Sequence, residues 1–171
     1  MLRRMRGDER GVAAIEFALV AGFLAYAMLN AVDIAKYYHD RMQVENATQM
    51  AAQIAWQTCD TTLLPATTKC TGLTSAVTAA IQATSLGSAV KLKSGFPSEG
   101  YYCVNASNAI QYVSSVSSKP ANCGAVGNAT GQPGDYIRIE TTYTYVPLFP
   151  GIGVGGLLPT TVTASAMMRL Q

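Results

Sequence analysis

The sequence predicts an α+β protein. A long N-terminal helix, first transmembrane and then amphipathic, precedes a small extracytoplasmic head. This disulfide-bonded head consists of an antiparallel sheet and one short helix. Three observations predict this class: an apolar run of membrane-spanning length near the N-terminus, helical periodicity behind it without Pro or Gly, and several later stretches that alternate in polarity. The 171 residues suit one domain with an appended segment.

Composition narrows the function classes before any motif is considered. Charged residues make up 13% of the chain, about half of the ~25% usual in soluble proteins, and 49% of the residues are hydrophobic. A disordered chain, rich in charge and poor in apolar residues, is therefore not expected. The formal net charge is +2, and Lys and Arg are too sparse after residue 10 to form a basic stripe, so no nucleic-acid partner is expected.

The membrane-spanning segment is predicted over residues 12–32. It contains one charged side chain, Glu16, and one strongly polar side chain, Asn30. A helix of this length spans roughly 30 Å, which matches the hydrocarbon core of a bilayer. Four arginines among the first ten residues predict a cytoplasmic N-terminus by the positive-inside rule, so everything after Asp33 is expected outside the cytoplasm.

A cleavable secretory signal peptide is the competing interpretation of the same segment. Ala25, Tyr26 and Ala27 form a small-x-small pattern of the kind that precedes a signal-peptide cut. The apolar run is nevertheless longer than the ~7–15 residues of a typical signal-peptide core. The helical pattern also continues through the supposed cut. A membrane anchor that stays attached to the chain fits the segment better.

Glu16 is the most informative residue of this segment. A carboxylate inside a membrane costs about 2.5 kcal/mol or more on insertion scales, so intramembrane acids are functional candidates. In one interpretation Glu16 reaches the cytoplasmic headgroups or is protonated. Its surroundings favour another, because Gly11 ends a basic leader, an apolar run begins at Val12, and Glu16 follows the glycine by five residues and directly precedes Phe17. This pattern resembles the class III signal of type IV pilin-like proteins.

That resemblance implies that a prepilin peptidase cuts between Gly11 and Val12, which makes Glu16 the fifth residue of the mature chain. The new α-amino group would be mostly protonated at neutral pH. In lipid this cation and the Glu16 carboxylate each need a partner, within one helix or between neighbouring subunits. Because an unpaired buried charge costs several kcal/mol, such a pair would set the axial register of assembled subunits.

The helix is predicted to continue past the membrane, because residues 33–57 contain no Pro or Gly and keep helical spacing. One face carries apolar residues, and the other carries charged and amide side chains, Asp40 among them. The apolar positions are Ile34, Tyr37, Tyr38, Ala47, Met50, Ala51 and Ile54. A spine over residues 12–57, about 70 Å long if continuous, with a head packed on its outer half, is similar to the pilin arrangement.

The chain is thus expected to consist of a leader over 1–11, the spine over 12–57 and a head over 58–171. Within the head a helix is predicted over 75–85 and strands over 89–93, 101–105, 109–116, 136–146 and 160–169. Alternation is clearest in the fourth strand. A Pro/Gly-rich apolar loop over 147–159 separates the last two strands. An antiparallel sheet against a helix is the economical architecture.

The four cysteines, Cys59, Cys70, Cys103 and Cys123, fit a head outside the cytoplasm. An even number of cysteines in that location predicts two disulfides. Three connectivities are open, of which pairing in sequence order closes the shortest loops. The cysteines form no C-x-x-C pair and His39 is the single histidine, so neither a metal nor another cofactor is expected. No catalytic constellation is visible, and the chain is not expected to be an enzyme.

The two ends of the sequence carry a more specific resemblance. The C-terminal pattern consists of Tyr143, Tyr145, Pro147 and Leu148, then Thr161, Thr163, Ala164, Ser165, Ala166, Met168 and Arg169. Together with the run over residues 10–20, it resembles the TadE-like proteins of tight-adherence (Flp) pilus systems. Residues 59–135 carry no motif that adds to this resemblance.

The resemblance implies a minor pilin or pseudopilin, a structural and assembly component of the pilus. Its expected partners are the prepilin peptidase, other pilins or pseudopilins, the pilus assembly platform and the bacterial inner membrane. The head would be periplasmic, or extracellular once incorporated into a pilus. Two alternatives stay open: an unprocessed single-pass envelope protein whose head binds a partner, and a secreted soluble binding domain.

Overall fold

The computed structural model describes residues 9–59 and 61–171, without the side chains of residues 9 and 10. Its helices are α1 (Glu9–Thr58), α2 (Ala66–Lys69) and α3 (Leu73–Ile81). Its strands are β1 (Val90–Leu92), β2 (Ser98–Val104), β3 (Ile110–Ser115), β4 (Gly134–Thr144) and β5 (Thr161–Arg169). The α+β class is therefore confirmed. Residues 1–8 of the predicted leader lie outside the described residues.

The described chain divides into two compact units. The first comprises the described residues up to His39 together with Val146–Pro159, and the second comprises Asp40–Tyr145 together with Thr160–Gln171. Helix α1 contributes to both units. The Pro/Gly-rich loop before β5 therefore belongs to the unit that contains the apolar part of α1, and not to the unit that contains the sheet.

The second unit is built around β4. Strand β5 pairs with one edge of β4, β1 and β2 share the other edge, and β3 pairs with the outer side of β2. All pairs are antiparallel. The predicted alternation of β4 is confirmed, because Ile137, Ile139, Thr141 and Tyr143 are buried while the residues between them are half-buried. Each strand predicted in the head has a counterpart in this sheet.

Within this unit the later part of α1 packs on the buried face of β4 through small side chains. The fully buried helix residues are Val44, Ala47, Thr48, Ala51 and Ala55. The Thr48 and Thr141 hydroxyl oxygens lie 2.6 Å apart, and the Thr48 hydroxyl also contacts the Val44 carbonyl oxygen at 2.6 Å. Since Thr48 has one hydroxyl hydrogen and donates it to Val44, Thr141 is the donor between the two threonines.

The sequence prediction placed some residues of this helix on the wrong face. Tyr38 and Met50, expected in the apolar stripe, are exposed, and Asp40, expected among the solvated side chains, is only 5% exposed. The Tyr143 hydroxyl donates to Asp40 Oδ2 at 3.1 Å. Burial, and after it the Asp40 charge, raises the pKa of Tyr143 to about 12. The tyrosine hydrogen bond allows the acid to occupy the packed face.

Two disulfides connect the second unit, which confirms the prediction of two such bonds. Cys59 pairs with Cys70, and Cys103 pairs with Cys123, so the cysteines follow sequence order. The first bond closes the segment between the end of α1 and the end of α2, a helix that the sequence did not predict. The second joins β2 to the turn that precedes β4. The helix predicted over 75–85 corresponds to α3, which ends four residues earlier than predicted, at Ile81.

An acidic pair lies where β2 and β4 run side by side. Glu99 accepts hydrogen bonds from the backbone N–H groups of Ala66 and Thr67, at 2.8 and 2.7 Å. Asp135 is only 5% exposed, and its Oδ1 atom has no hydrogen-bond partner among the described residues. Burial, then the charge and hydrogen bond of Glu99, raises the pKa of Asp135 to about 6, and Lys119 opposes the shift.

This raised pKa predicts a stability that depends on pH. Native Asp135 holds its proton more tightly than the unfolded chain does, so its contribution is complete below about pH 4 and is lost as pH rises through about 6. We expect a loss of about 2–3 kcal/mol of unfolding free energy across that range, since one pKa unit corresponds to about 1.4 kcal/mol. Urea unfolding of the full chain in detergent micelles, compared with Asp135→Asn, measures this difference.

Glu45, a half-buried acid paired with Arg41, provides the matched control, because Glu45→Gln leaves the pair of Asp135 and Glu99 intact. Wild type and Glu45→Gln should show the loss, and Asp135→Asn should show a loss smaller by the stated amount. Parallel pH curves for all three proteins would contradict the assignment.

Candidate functional site

The apolar part of α1 is exposed in every direction. Every residue from 11 to 20 is exposed, and the rings of Phe17 and Phe23 are 74% and 72% accessible. This helix is long and apolar enough to cross a membrane by length and composition. A helix that is apolar all round belongs inside a core or inside a bilayer, and its exposure shows that it does not lie in the core of the described chain. The segment thus fits a single-pass membrane protein.

The residues predicted for processing and assembly lie on the first turns of this segment. Val12 and Glu16 are one helical turn apart on the same face, roughly 6 Å along the axis, and both are exposed. The junction of Gly11 and Val12 lies inside α1, which begins at Glu9. A Cβ atom added at Gly11 or at Gly22 would meet nothing within 4 Å. The roles of Gly11 and Val12 in cleavage and of Glu16 in assembly stay predictions.

A row of polar side chains on α1, which the sequence analysis did not identify, holds the loop over residues 146–159. Asn30 Oδ1 accepts a hydrogen bond from Val154 N at 2.6 Å, and Asp33 Oδ1 accepts one from Leu148 N at 2.8 Å. The Lys36 ammonium donates to the carbonyl oxygen of Val146 at 3.2 Å. Asn30, Asp33 and Lys36 follow one another at three-residue spacing, and this polar row immediately after an apolar run is the signal that could have revealed it.

Glycines let the loop approach that row closely. Gly153 has a φ of +84°, and a Cβ atom added there would collide with the Asn30 carboxamide oxygen. A Cβ at Gly155 would lie 2.6 Å from Asp33 Oδ2 and 2.9 Å from Pro147 Cβ. The Gly-rich composition of the loop therefore has a packing reason.

The second unit contains an open cavity of about 360 Å³ between the start of α3 and the chain before β2. Its lining includes Thr67, Leu73, Ser75, Phe96 and Pro97, and no lining side chain titrates near neutral pH. Across the described residues, no group of three or more His, Cys, Asp or Glu side chains is placed to hold a metal ion. Nothing positive in the described part of the chain indicates catalysis.

Comparison with known families singles out the N-terminal segment. Residues 11–53 match the family model described as TadE-like protein. This segment is TadE-like. The match covers about a quarter of the chain, includes Gly11, Val12, Glu16 and Phe17, and confirms the resemblance at that end. No curated protein and no solved structure matches the chain. TadE-like proteins are associated with Tad pilus systems, and the matched segment is similar to them.

The contact between the loop and α1 predicts an effect of Gly153→Ala. The substitution places a Cβ atom against Asn30 and adds about 1–2 kcal/mol of backbone strain at a positive φ. We expect the amides of Leu148 and Val154 to exchange about tenfold faster, since about 1.4 kcal/mol corresponds to a factor of ten. Hydrogen-exchange mass spectrometry over residues 146–159 measures this rate.

Gly156→Ala is the matched control, because a Cβ atom at Gly156 meets nothing within 4 Å and its backbone is not at positive φ. It should leave the exchange rates unchanged. Equal exchange in the two variants would show that close approach at Gly153 does not hold the loop.

Proposed function

We propose that the chain is a minor pilin or pseudopilin-like structural and assembly component of a tight-adherence (Flp) pilus. In this proposal α1 spans the bacterial inner membrane with its N-terminus in the cytoplasm, and the second unit lies in the periplasm. One observation carries the proposal: the TadE-like match over residues 11–53 starts with Gly11, the last residue of the basic leader, and includes the apolar segment whose side chains are exposed on every face. A prepilin peptidase would cut after Gly11, so Val12 begins the mature chain.

Glu16 supports this proposal through its isolation. It is the one charged residue between positions 11 and 32, and it lies one turn from Val12. Cleavage would create an α-amino cation at Val12, and in lipid this cation and the Glu16 carboxylate are each costly unless paired. Pairing between neighbouring subunits would fix their stagger, because a shift along the axis separates both charges from their partners.

An unprocessed single-pass envelope protein is the second candidate. Helix α1 begins at Glu9 and runs without a break across Gly11 and Val12, so the junction is not presented as an extended peptide. In this alternative the leader stays attached and the periplasmic unit binds a partner. The N-terminal residue of the protein isolated from the native envelope separates the two candidates, since a processed chain starts at Val12.

Substitution at the junction gives the corresponding prediction. Gly11→Leu should leave a full-length precursor in the membrane fraction, because a bulky side chain occupies the position before the cut. Gly22→Leu is the matched control, since both glycines lie in α1 with nothing near an added Cβ atom. N-terminal sequencing and electrophoretic migration report processing. Normal processing of Gly11→Leu, or failure of both variants, would contradict cleavage at this site.

Substitution of Glu16 separates assembly from processing. Glu16→Gln keeps the side-chain shape and removes the charge, so membrane insertion and cleavage should survive while the Val12 amine loses its partner. Leaving one member of a buried ion pair alone costs about 3–5 kcal/mol, which is on the order of a hundred-fold to a few thousand-fold in an assembly equilibrium. Co-purification of the processed protein with other pilus components measures the loss.

Glu45→Gln provides the control, because Glu45 is an acid on the same helix beyond the apolar segment, paired with Arg41 at the surface. It should co-purify as wild type does. Recovery of processed Glu16→Gln at the level of wild type would show that Glu16 is a tolerated acid with no part in assembly.

A further inference from the structure

We propose that the loop over residues 146–159, called here the apolar loop, inserts its side chains into the outer leaflet of the bilayer that α1 crosses. The partner is the lipid boundary between headgroups and acyl chains, so the chain would contact the membrane through a loop as well as through a helix. This inference rests on the membrane-spanning part of the proposed function and is independent of processing at Gly11.

Position along α1 sets the depth of the apolar loop. Asn30, whose side chain binds the backbone N–H of Val154, lies 18 residues after Val12, about 27 Å along the helix. The hydrocarbon core of a bilayer is about 30 Å thick. If the core begins near Val12, the loop lies at its outer boundary, close to Asp33 and Lys36, which are the first charged residues after Glu16.

The composition of the apolar loop fits that boundary. Residues 146–159 contain no Asp, Glu, Lys or Arg. Their exposed side chains include Leu148 and Ile152, both 52% accessible, and Leu157, which is 84% accessible. Interfacial amphipathic helices bury their apolar face about 5–10 Å into the boundary between headgroups and acyl chains, and we expect the apolar side chains of the loop to reach a similar depth. Tyr38, beyond the predicted span on the same unit, is exposed, and tyrosine is enriched at membrane interfaces.

The polar row on α1 lowers the cost of inserting an irregular loop, because it binds three of the loop's backbone groups. Backbone groups without hydrogen-bond partners are costly in an apolar environment. The N–H groups of Leu148 and Val154 are bound by Asp33 and Asn30, and the Val146 carbonyl accepts from Lys36. The loop therefore presents its side chains outward while these backbone groups face the helix.

A lipid surface fits this patch better than a protein partner does. The apolar loop continues the exposed apolar surface of α1 within the same unit, and it carries no charge that would orient a protein partner. Its surface is in that respect the same as the segment that crosses the bilayer.

Tryptophan fluorescence with brominated lipids tests the proposal. The chain has one tryptophan, Trp56, in the second unit, and it is exposed. In a Trp56→Phe background, Leu157→Trp reports on the apolar loop and Phe23→Trp reports on the middle of the predicted span. Both positions are highly exposed, so a larger ring displaces no packed side chain. Ile152→Trp is a second loop reporter in case Leu157→Trp perturbs the fold.

The full-length proteins are reconstituted in phosphatidylcholine vesicles that carry bromine either near the headgroups or near the chain ends. We expect shallow bromine to quench the loop reporters most strongly, deep bromine to quench Phe23→Trp, and neither to quench Trp56 in wild type. Quenching of Phe23→Trp with none at either loop reporter would overturn the loop proposal and leave the span intact. A loop reporter whose emission is blue-shifted but not quenched would also overturn the loop proposal, and it would indicate a protein partner. Absence of quenching at all positions would overturn both the span and the loop proposal.

Discussion

The structure depends on a single helix that must serve two environments without a break. Over residues 11–20 every side chain of α1 is exposed and the surface is apolar apart from Glu16, whereas over residues 44–55 one narrow stripe is buried against the sheet. The change from one surface to the other is made by side-chain size and polarity within one continuous helix. Small side chains at 47, 48, 51 and 55 are fully buried, and Thr48 contacts Thr141 of β4, while bulky residues before position 33 are exposed. The two compact units correspond to these two parts of α1, the first mostly exposed and the second partly buried.

Periodicity explains how much of this fold could be predicted. The polarity pattern of the side chains predicts the long helix and the strands β4 and β5, and these elements are present with bounds close to those expected. The face assignment failed at Asp40, because polarity was taken as a sign of exposure. A buried acid with a tyrosine donor, here Tyr143 at a separation of more than a hundred residues, leaves no local signal in the sequence.

Some residues of the candidate site could likewise be predicted from the sequence and others could not. Gly11 and Glu16 could be singled out because an intramembrane acid and a basic leader are anomalies of composition. The polar row of Asn30, Asp33 and Lys36 was missed since its partners are backbone groups of Leu148, Val154 and Val146. Backbone N–H and C=O groups are the same in every residue, so sequence patterns do not show where they are satisfied. The glycines of the loop are visible in the sequence. The reason for them is the short distance between the loop and the side chains of Asn30 and Asp33, which only the folded chain defines.

The hydrogen bond between Thr48 and Thr141 has a direction, and direction makes the two positions unequal in evolution. Thr48 donates to Val44 and accepts from Thr141, so valine at 141 leaves the remaining hydroxyl satisfied, whereas valine at 48 leaves the Thr141 hydroxyl buried without its acceptor. An orphaned buried donor costs about 1–3 kcal/mol, while an apolar pair of the same shape can be nearly neutral. Descendants of this chain can therefore exchange the pair for two valines through one order of mutations, with position 141 changing first, and the reverse order crosses a barrier of stability.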